Sequence, residues 1–326
     1  MSMSNQRADE RKDVGMKTQS WTLGVAVACL VGAAALQAKC QVKPQDDKHR
    51  VDTVPLSDEL ESLGGIGGLA VDSEGHVILA NFNKYVWRIS PEGEVQILAD
   101  NFSQSSGNTV LRNGDILQSD FEAQSILRMS QADSGVEVFC DEGLHGPVGL
   151  VEGPEGDIYV ANFSGGYIAR VPASGGAATV FSRHNRMTSP NSIVRASSGD
   201  FFVADLRSPV LFKISAEGEA TEFVTLPGSA NGHLTIADGA LYVTQLLDQR
   251  IVRVEFDGSF RIVAGTGVRG FKDGLEGVAT ISYPNGIVAD PGGLFVYFNN
   301  HRGIMRSGER GDILLRRLYI PESTAR

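Results

Sequence analysis

The chain has little of several things that define common protein classes. Its 326 residues include only 3 cysteines and 2 tryptophans, and two of these cysteines, Cys40 and Cys140, are too few and too far apart for a disulfide framework. The formal net charge is −10, so the chain lacks the basic excess with which proteins hold nucleic acid or anionic lipid. Long stretches of helical periodicity are also rare, whereas 38 glycines suit a fold with frequent turns.

Only one long uncharged run interrupts this composition, from Trp21 to Ala38. Read from Met16, with Lys17 as the positive start, it has the pattern of a secretory signal cleaved after a small residue. The alternative is an uncleaved anchor, because the run approaches the ~20 residues that a spanning helix needs. Cys40 suggests a third alternative, lipid attachment, although Lys39 before it does not fit such a processing site. We therefore predict an exported protein, periplasmic or secreted, that is either free or tethered through its N-terminal segment.

The rest of the chain divides into three parts. Residues 39–50 are polar and charged and form a linker. Residues 51–320 carry the folded domain, and residues 321–326 are a short tail. We expect a small molecule, glycan or peptide as partner, no nucleic acid, and no membrane contact beyond the N-terminal segment.

A repeated unit dominates the folded domain. Its clearest copy, YPNGIVADPGGLFVYFNNHRGIMR from Tyr283 to Arg306, predicts short strands joined by a Gly-centred turn and ending on a basic residue. Six copies align on their turn glycines, which are Gly75, Gly114, Gly156, Gly199, Gly239 and Gly293, at spacings of 39, 42, 43, 40 and 54 residues. A basic residue follows in register in each copy: Arg88, Arg128, Arg170, Lys213, Arg253 and Arg306.

This spacing predicts a six-bladed β-propeller of four-stranded antiparallel blades. One such sheet cannot bury both of its faces alone, and radial stacking of neighbours buries them. Outer-strand patterns occur at both ends of the folded domain, in RVDTVPLS from Arg50 to Ser57 and in DILLRRLYI before Pro321. One of the two terminal segments is therefore expected to close the ring. The basic residues are interpreted as surface or inter-blade hydrogen-bond donors.

Polar residues recur at the end of the channel where the innermost strands begin, which we call the mouth. Eight residues before the turn glycine, or six in blade two, stand Asn108, Asn191, Asn231 and Asn285. Six residues after each glycine stand Asn81, Asp120, Asn162, Asp205, Gln245 and Asn299. Antiparallel pairing returns the second set beside the first, so Asp120 is expected next to Asn108 and Asp205 next to Asn191.

These positions suggest a site for a hard cation, since carboxylate and amide oxygens are the ligands of Ca²⁺. The candidate metal ligands are Asn108, Asp120, Asn191, Asp205 and Asn231. Asn81, Asn162, Gln245, Asn285 and Asn299 would line the channel or contact a ligand. The alternative is purely structural, because Asn and Asp at strand ends commonly bind local backbone groups.

Two histidines are candidate proton carriers, because imidazole titrates near neutrality. His145 precedes blade three, and His233 lies two residues beyond Asn231. His233 aligns with apolar residues of other blades, so a packed core histidine is the alternative for it.

The run AGTG…GFKDG…YPNGIVAD…FNNHRGIMR resembles an NHL repeat, and the six units together are similar to the SMP-30, gluconolactonase and LRE-like propellers. The resemblance implies a channel that holds a divalent cation, usually calcium, for hydrolysis of lactones or related esters. Gly67 and Asn231 stand where the family has a glutamate and an aspartate, and only Asn191 matches its asparagine. The alternatives are a non-catalytic propeller that binds a ligand at the same mouth and a lyase that resembles streptogramin lyases.

Overall fold

The computed structural model describes residues 48–63, 66–130, 135–302 and 310–321. The predicted signal or anchor, 1–38, and the linker up to residue 47 lie outside these residues, as does the predicted tail from residue 322. Among the described residues, no helix is long and apolar enough to cross a membrane.

The described chain folds into six antiparallel sheets, as the repeat predicts. Two strands precede the blades: β1 (Arg50–Thr53) and β2 (Leu60–Leu63). Blades one to three contain β3 (Leu69–Val71), β4 (Val77–Ala80), β5 (Val86–Ile89), β6 (Val95–Ala99), β7 (Ser105–Val110), β8 (Ile116–Asp120), β9 (Ser125–Met129), β10 (Val136–Cys140), β11 (Pro147–Glu152), β12 (Ile158–Asn162), β13 (Tyr167–Val171) and β14 (Thr179–Ser182).

The remaining strands form blades four to six. They are β15 (Pro190–Arg195), β16 (Phe201–Asp205), β17 (Val210–Ile214), β18 (Ala220–Thr225), β19 (Asn231–Ala237), β20 (Ala240–Gln245), β21 (Arg250–Glu255), β22 (Phe260–Ala264), β23 (Gly274–Leu275), β24 (Ile287–Ala289), β25 (Phe295–Arg302) and β26 (Arg310–Tyr319). The innermost strands contact one another in order, and β24 of blade six contacts β3 of blade one, so the ring is closed.

The six turn glycines adopt the backbone conformation that the repeat requires. Their φ angles lie between 68° and 98°, in the left-handed region that a Cβ atom disfavours. Each one makes the turn between the first and second strands of its blade. The glycine spacing therefore reports blade spacing directly.

The recurrent basic residues pair with an acidic residue of their own blade rather than with the next blade. Arg88 donates to Asp72 at 2.7 Å, and Lys213 lies 3.0 Å from Asp200. The other described pairs are Arg128 with Asp115, Arg170 with Asp157 and Arg253 with Asp238. The hydrogen-bond role is confirmed for these five, and it joins the third strand to the turn between the first two. Arg306 lies outside the described residues.

The N-terminal strand β1 closes the ring, pairing with β26 from Arg50↔Tyr319 to Thr53↔Arg316. The C-terminal segment was expected to be an outer strand and is instead the third strand of blade six. The repeat had placed that third strand at the stretch ending on Arg306. β26 takes the place because Ile313, Leu315 and Leu318 are all buried, so the strand is covered on both faces, as a third strand must be.

The core lies between neighbouring blades. One apolar cluster joins Leu117 and Ile126 of blade two to Val160 and Ala169 of blade three, and equivalent clusters occur around the ring. Cys140 is a buried, free thiol in this core, and burial raises its pKa. It is an ordinary packed side chain.

Candidate functional site

The inner strands carry a bulge at the mouth, and the bulge decides which residues face the axis. In blade two the register shifts between Ser105 and Asn108, so Ser106 faces the mouth and Asn108 lies one step further down the channel. Asp120 pairs with Ser105 and not with Asn108, which pairs with Gln118. The prediction that Asp120 lies next to Asn108 is therefore wrong.

Asn231 differs from its expected place for a related reason. The turn of blade five is shorter, because Ala237 pairs directly with Ala240. The residue eight positions before Gly239 is therefore Asn231, which lies one position outside the bulge. Asn231 is fully buried, donates to the Ser208 carbonyl at 3.0 Å and accepts from Gln245 at 3.2 Å. His233 takes the axis-facing place in this blade.

The residues six positions after the glycines are all buried and bind local groups. Five of them lie at or directly after the end of a second strand, and Asn299 lies within β25. Asp120 accepts from the backbone N–H groups of Ser103, Gln104 and Ala123 at 2.7 to 3.1 Å. Asp205 accepts in the same way from Thr188, Ser189 and Arg207 at 2.7 to 2.9 Å. The amide members have similar contacts: Asn81 to Asn83 and Tyr85, Asn162 to His145, and Asn299 to Gly286 and Gly67.

This arrangement makes a poor cation site. Both carboxylates already hold three N–H groups each, and a hard cation would have to displace them. Among the described residues, no three His, Cys, Asp or Glu side chains gather closely enough to hold a metal ion. A Ca²⁺ site at Asp120 and Asp205 stays a prediction.

The mouth holds a cavity of about 140 Å³ whose wall is mainly apolar. The residue directly after the buried polar residue lines it in five blades: Phe82, Phe121, Phe163, Leu206 and Leu246. The rings of Phe82 and Phe121 lie 5.8 Å apart, and those of Phe121 and Phe163 lie 5.9 Å apart. They form an aromatic arc on one side of the opening.

The polar part of this mouth cavity is small and uncharged. Ser106, Asn191, His233 and Asn285 line it together with Ile66 and Val148. No carboxylate is among the described residues that line it. Asn191 and Asn285 are thus the two predicted channel residues that reach this cavity, and Asn108 lines a second cavity, the lower cavity, of about 180 Å³ further along the axis.

Asn191 has an unsatisfied amide group in the wall of the mouth cavity. Its side chain is 6 % exposed, and its buried Nδ2 has no hydrogen-bond partner. Asn285, by contrast, donates its Nδ2 to the Ile66 carbonyl at 2.6 Å. Leaving a buried donor unpaired costs about 1–3 kcal/mol. The position of Asn191 in the cavity wall means that a ligand could supply the missing acceptor.

His233 separates the two cavities, because its side chain lines both. Its Cε1 lies only 3.0 Å from the place that a Cβ on Gly68 would occupy, so the ring reaches across the axis from blade five to blade one. Burial lowers the pKa of His233 to about 4. The imidazole is therefore neutral at neutral pH and, within the described part of the chain, its ring nitrogens have no protein partner.

His145 lies on the rim, outside the wall of the mouth cavity. Its Nδ1 is 2.8 Å from the Tyr167 hydroxyl, which itself donates to the Gly143 carbonyl at 2.9 Å. A hydroxyl has one proton to donate, so Nδ1 must carry the hydrogen and Nε2 keeps a free lone pair. His145, one of the two predicted proton carriers, can therefore accept a proton at Nε2. Its side chain is exposed to solvent.

Sequence reasoning missed the five apolar side chains that form the wall. Their signal was present: an apolar residue follows the last polar residue of the second strand, inside a turn where polar residues are usual. Phe82 even has a φ of 55°, which is unusual for an aromatic residue. A large apolar residue at the same turn position in five blades indicates a shared surface around the axis.

No protein-family model matches the chain, and no curated protein matches it. Solved structures do resemble it. A streptogramin B lyase is 18% identical, with a TM-score of 0.60 over 83% of this chain and 98% of that chain. A gluconolactonase from Xanthomonas campestris is 14% identical, with a TM-score of 0.61 over 86% and 100%. An auxiliary nutrient binding protein from Bacteroides thetaiotaomicron is 14% identical, with a TM-score of 0.67 over 82% and 76%.

These similarities agree with the resemblance found in the sequence. Gluconolactonases and streptogramin lyases are among the six-bladed propellers that this chain is similar to. Identities this low establish the shared fold and not a shared reaction.

Proposed function

We propose that this propeller binds a small, mostly apolar ligand at the mouth of its channel. The observation that carries the proposal is Asn191, whose buried Nδ2 has no partner, in the wall of a mainly apolar cavity. Ligand sites typically combine an apolar lining with a few polar groups that fix orientation. Here Asn191 would donate to the ligand, and neutral His233 would accept from it.

A hydroxyl group fits both contacts, because it accepts one hydrogen bond and donates another. The aromatic arc of Phe82, Phe121 and Phe163 suits a flat ring stacked or edge-on against it. Ca²⁺ is not required for any of these contacts. The proposed ligand is thus a ring that carries a hydroxyl at its buried end.

Two fluorescent probes that share the same aromatic ring system test this proposal. Naphthalene offers the ring alone, and 2-naphthol adds the hydroxyl. We expect saturable binding of 2-naphthol, which Asn191→Leu weakens about tenfold because a buried hydrogen bond is lost. The same variant should leave naphthalene binding unchanged, whereas Phe121→Ala should weaken both probes.

Two outcomes would contradict binding at the mouth. One is the absence of saturable fluorescence change up to the solubility limit of 2-naphthol. The other is equal affinity of the wild-type protein and Asn191→Leu for 2-naphthol, with both proteins melting at similar temperatures. A matched control is Asn113→Leu, which alters an exposed asparagine of a turn at the far end of blade two.

Hydrolysis of a lactone is a second candidate, and the free Nε2 of His145 is the observation that favours it. A rim imidazole in this tautomer could take a proton from water. Dihydrocoumarin, an aromatic lactone, is a suitable substrate for the test. Turnover that His145→Ala abolishes, with 2-naphthol binding retained, would support the candidate, and turnover unaffected by the change would exclude His145 as the base.

A further inference from the structure

Two arginines on the mouth rim have no acidic partner. Arg183 follows β14, Arg207 lies in the turn between β16 and β17, and both are exposed. Neither forms an ion pair with any described residue. The third-strand Arg88, in contrast, is paired with Asp72. Free guanidinium groups are notable in a chain whose net charge is −10.

Aromatic rings hold both guanidinium groups beside the same turn of blade three. The Arg207 guanidinium carbon lies 5.3 Å from the centre of the Phe163 ring, which is part of the mouth cavity wall. The Arg183 guanidinium carbon lies 4.3 Å from the centre of the Tyr167 ring, and its Nη1 is 3.5 Å from the Gly165 carbonyl. Cation–π contact of this kind orients a guanidinium group without neutralising it.

The geometry therefore places positive charge directly outside an uncharged cavity. A ligand whose ring lies against Phe163 would bring a substituent at its outer end to Arg207. Guanidinium groups bind carboxylates through two parallel hydrogen bonds. Because no carboxylate of the described chain takes this place, an anionic group of the ligand can.

We propose that the ligand is an aromatic carboxylate with a hydroxyl at the opposite end of the ring. The hydroxyl contacts Asn191 and His233, the ring packs in the aromatic arc, and the carboxylate binds Arg207 with Arg183 nearby. This inference rests on the proposed function and adds the charge and the orientation of the ligand. The hydroxyl end then meets groups without a protein partner, and the carboxylate end meets two arginines that have no acidic partner among the described residues.

The test adds 6-hydroxy-2-naphthoate to the probe series. It has the ring and hydroxyl of 2-naphthol and one carboxylate more. We expect the wild-type protein to bind it about tenfold more tightly than 2-naphthol, since a hydrogen bond to a charged group is stronger than a neutral one. Arg207→Gln should remove this difference, so that the variant binds the naphthoate no more tightly than it binds 2-naphthol. Raising the salt concentration should weaken the naphthoate only.

The control is Arg112→Gln, which changes an exposed arginine at the opposite end of blade two, where it pairs with Glu152. It should bind both probes as the wild-type protein does. Equal affinity of the wild-type protein for the two probes, or a preference for the naphthoate that survives Arg207→Gln, would overturn the anion site and leave the apolar site standing. Failure of both probes to bind would overturn the proposed function itself.

Discussion

Single buried side chains at the axis determine the chemistry of the mouth. His233 is 6 % exposed and reaches across the channel, in a position where other blades carry small or apolar groups. Burial without a partner makes its charged form unfavourable. His233 therefore serves as a neutral hydrogen-bond acceptor. Protonation of its imidazole in acid should destabilise the folded protein.

The stability of the fold should consequently fall in mild acid. The pKa of His233 is about 4 when folded and 6.5 at its ordinary value, so the unfolded chain binds more protons between these limits. Stability due to His233 is full above pH 6.5 and is lost as pH falls toward 4. Lowering pH from 7 to 5 should cost about 2 kcal/mol through this group.

Urea unfolding of the wild-type protein and of His233→Leu at both pH values measures this cost. The wild-type protein should lose about 2 kcal/mol more than the variant. His49, whose pKa burial lowers to about 3, adds a similar loss to both proteins and cancels in the comparison. Parallel pH profiles would show that His233 is not buried as a neutral group.

At the scale of elements, one buried side chain of β26 contacts the long connection between β22 and β24 at three points. Arg316 is fully buried and donates to the carbonyls of Thr280 at 2.8 Å and Lys272 at 3.0 Å. It also donates to Asp273 Oδ1 at 2.8 Å. The planar guanidinium fork thus ties the connection to the closing blade, and the single nitrogen of a lysine does not reproduce this spread of donors.

Replacement of Arg316 by Met should release this connection. We expect a loss of about 3 kcal/mol, since three acceptors lose a buried donor, and faster cleavage by trypsin after Arg269 and Lys272. Arg316→Lys should behave similarly. Arg170→Met is the matched control, because Arg170 is exposed and pairs with Asp157 of blade three, away from this connection. Unchanged cleavage in the Met variant would mean that other contacts hold the loop.

For the whole molecule, the fold could be predicted from the sequence because its determinants are local. A turn glycine such as Gly199 and an apolar strand beside it lie within a few residues of each other, and the repeat multiplies the signal. The site could not be predicted to the same extent. Asn108 and Asn231 were misplaced because bulges and turn lengths shift the register by a step, which turns a side chain to another face.

The roles of the acidic residues were also beyond the sequence. Asp120 and Asp205 looked like ligands by residue type, but their oxygens bind the backbone of the loop that enters the same blade. Such a contact depends on how a loop about 16 residues earlier in the chain packs against the strand end. A local sequence pattern does not predict this packing. The structural alternative considered for strand-end Asn and Asp residues describes their contacts in this fold.

Ring closure is the property of the whole molecule that can be tested most directly. β1 covers the edge of β26, and Val51 and Val54 are buried beside it at 1% and 5% exposure. A chain that starts after residue 54 lacks both valines and exposes the β26 edge. It should lose about 3–6 kcal/mol of stability from the two side chains and self-associate through the open edge. A chain that starts at residue 48 keeps β1 and is the control. Thermal melting and size-exclusion chromatography compare the two, and identical melting and elution would contradict closure by β1.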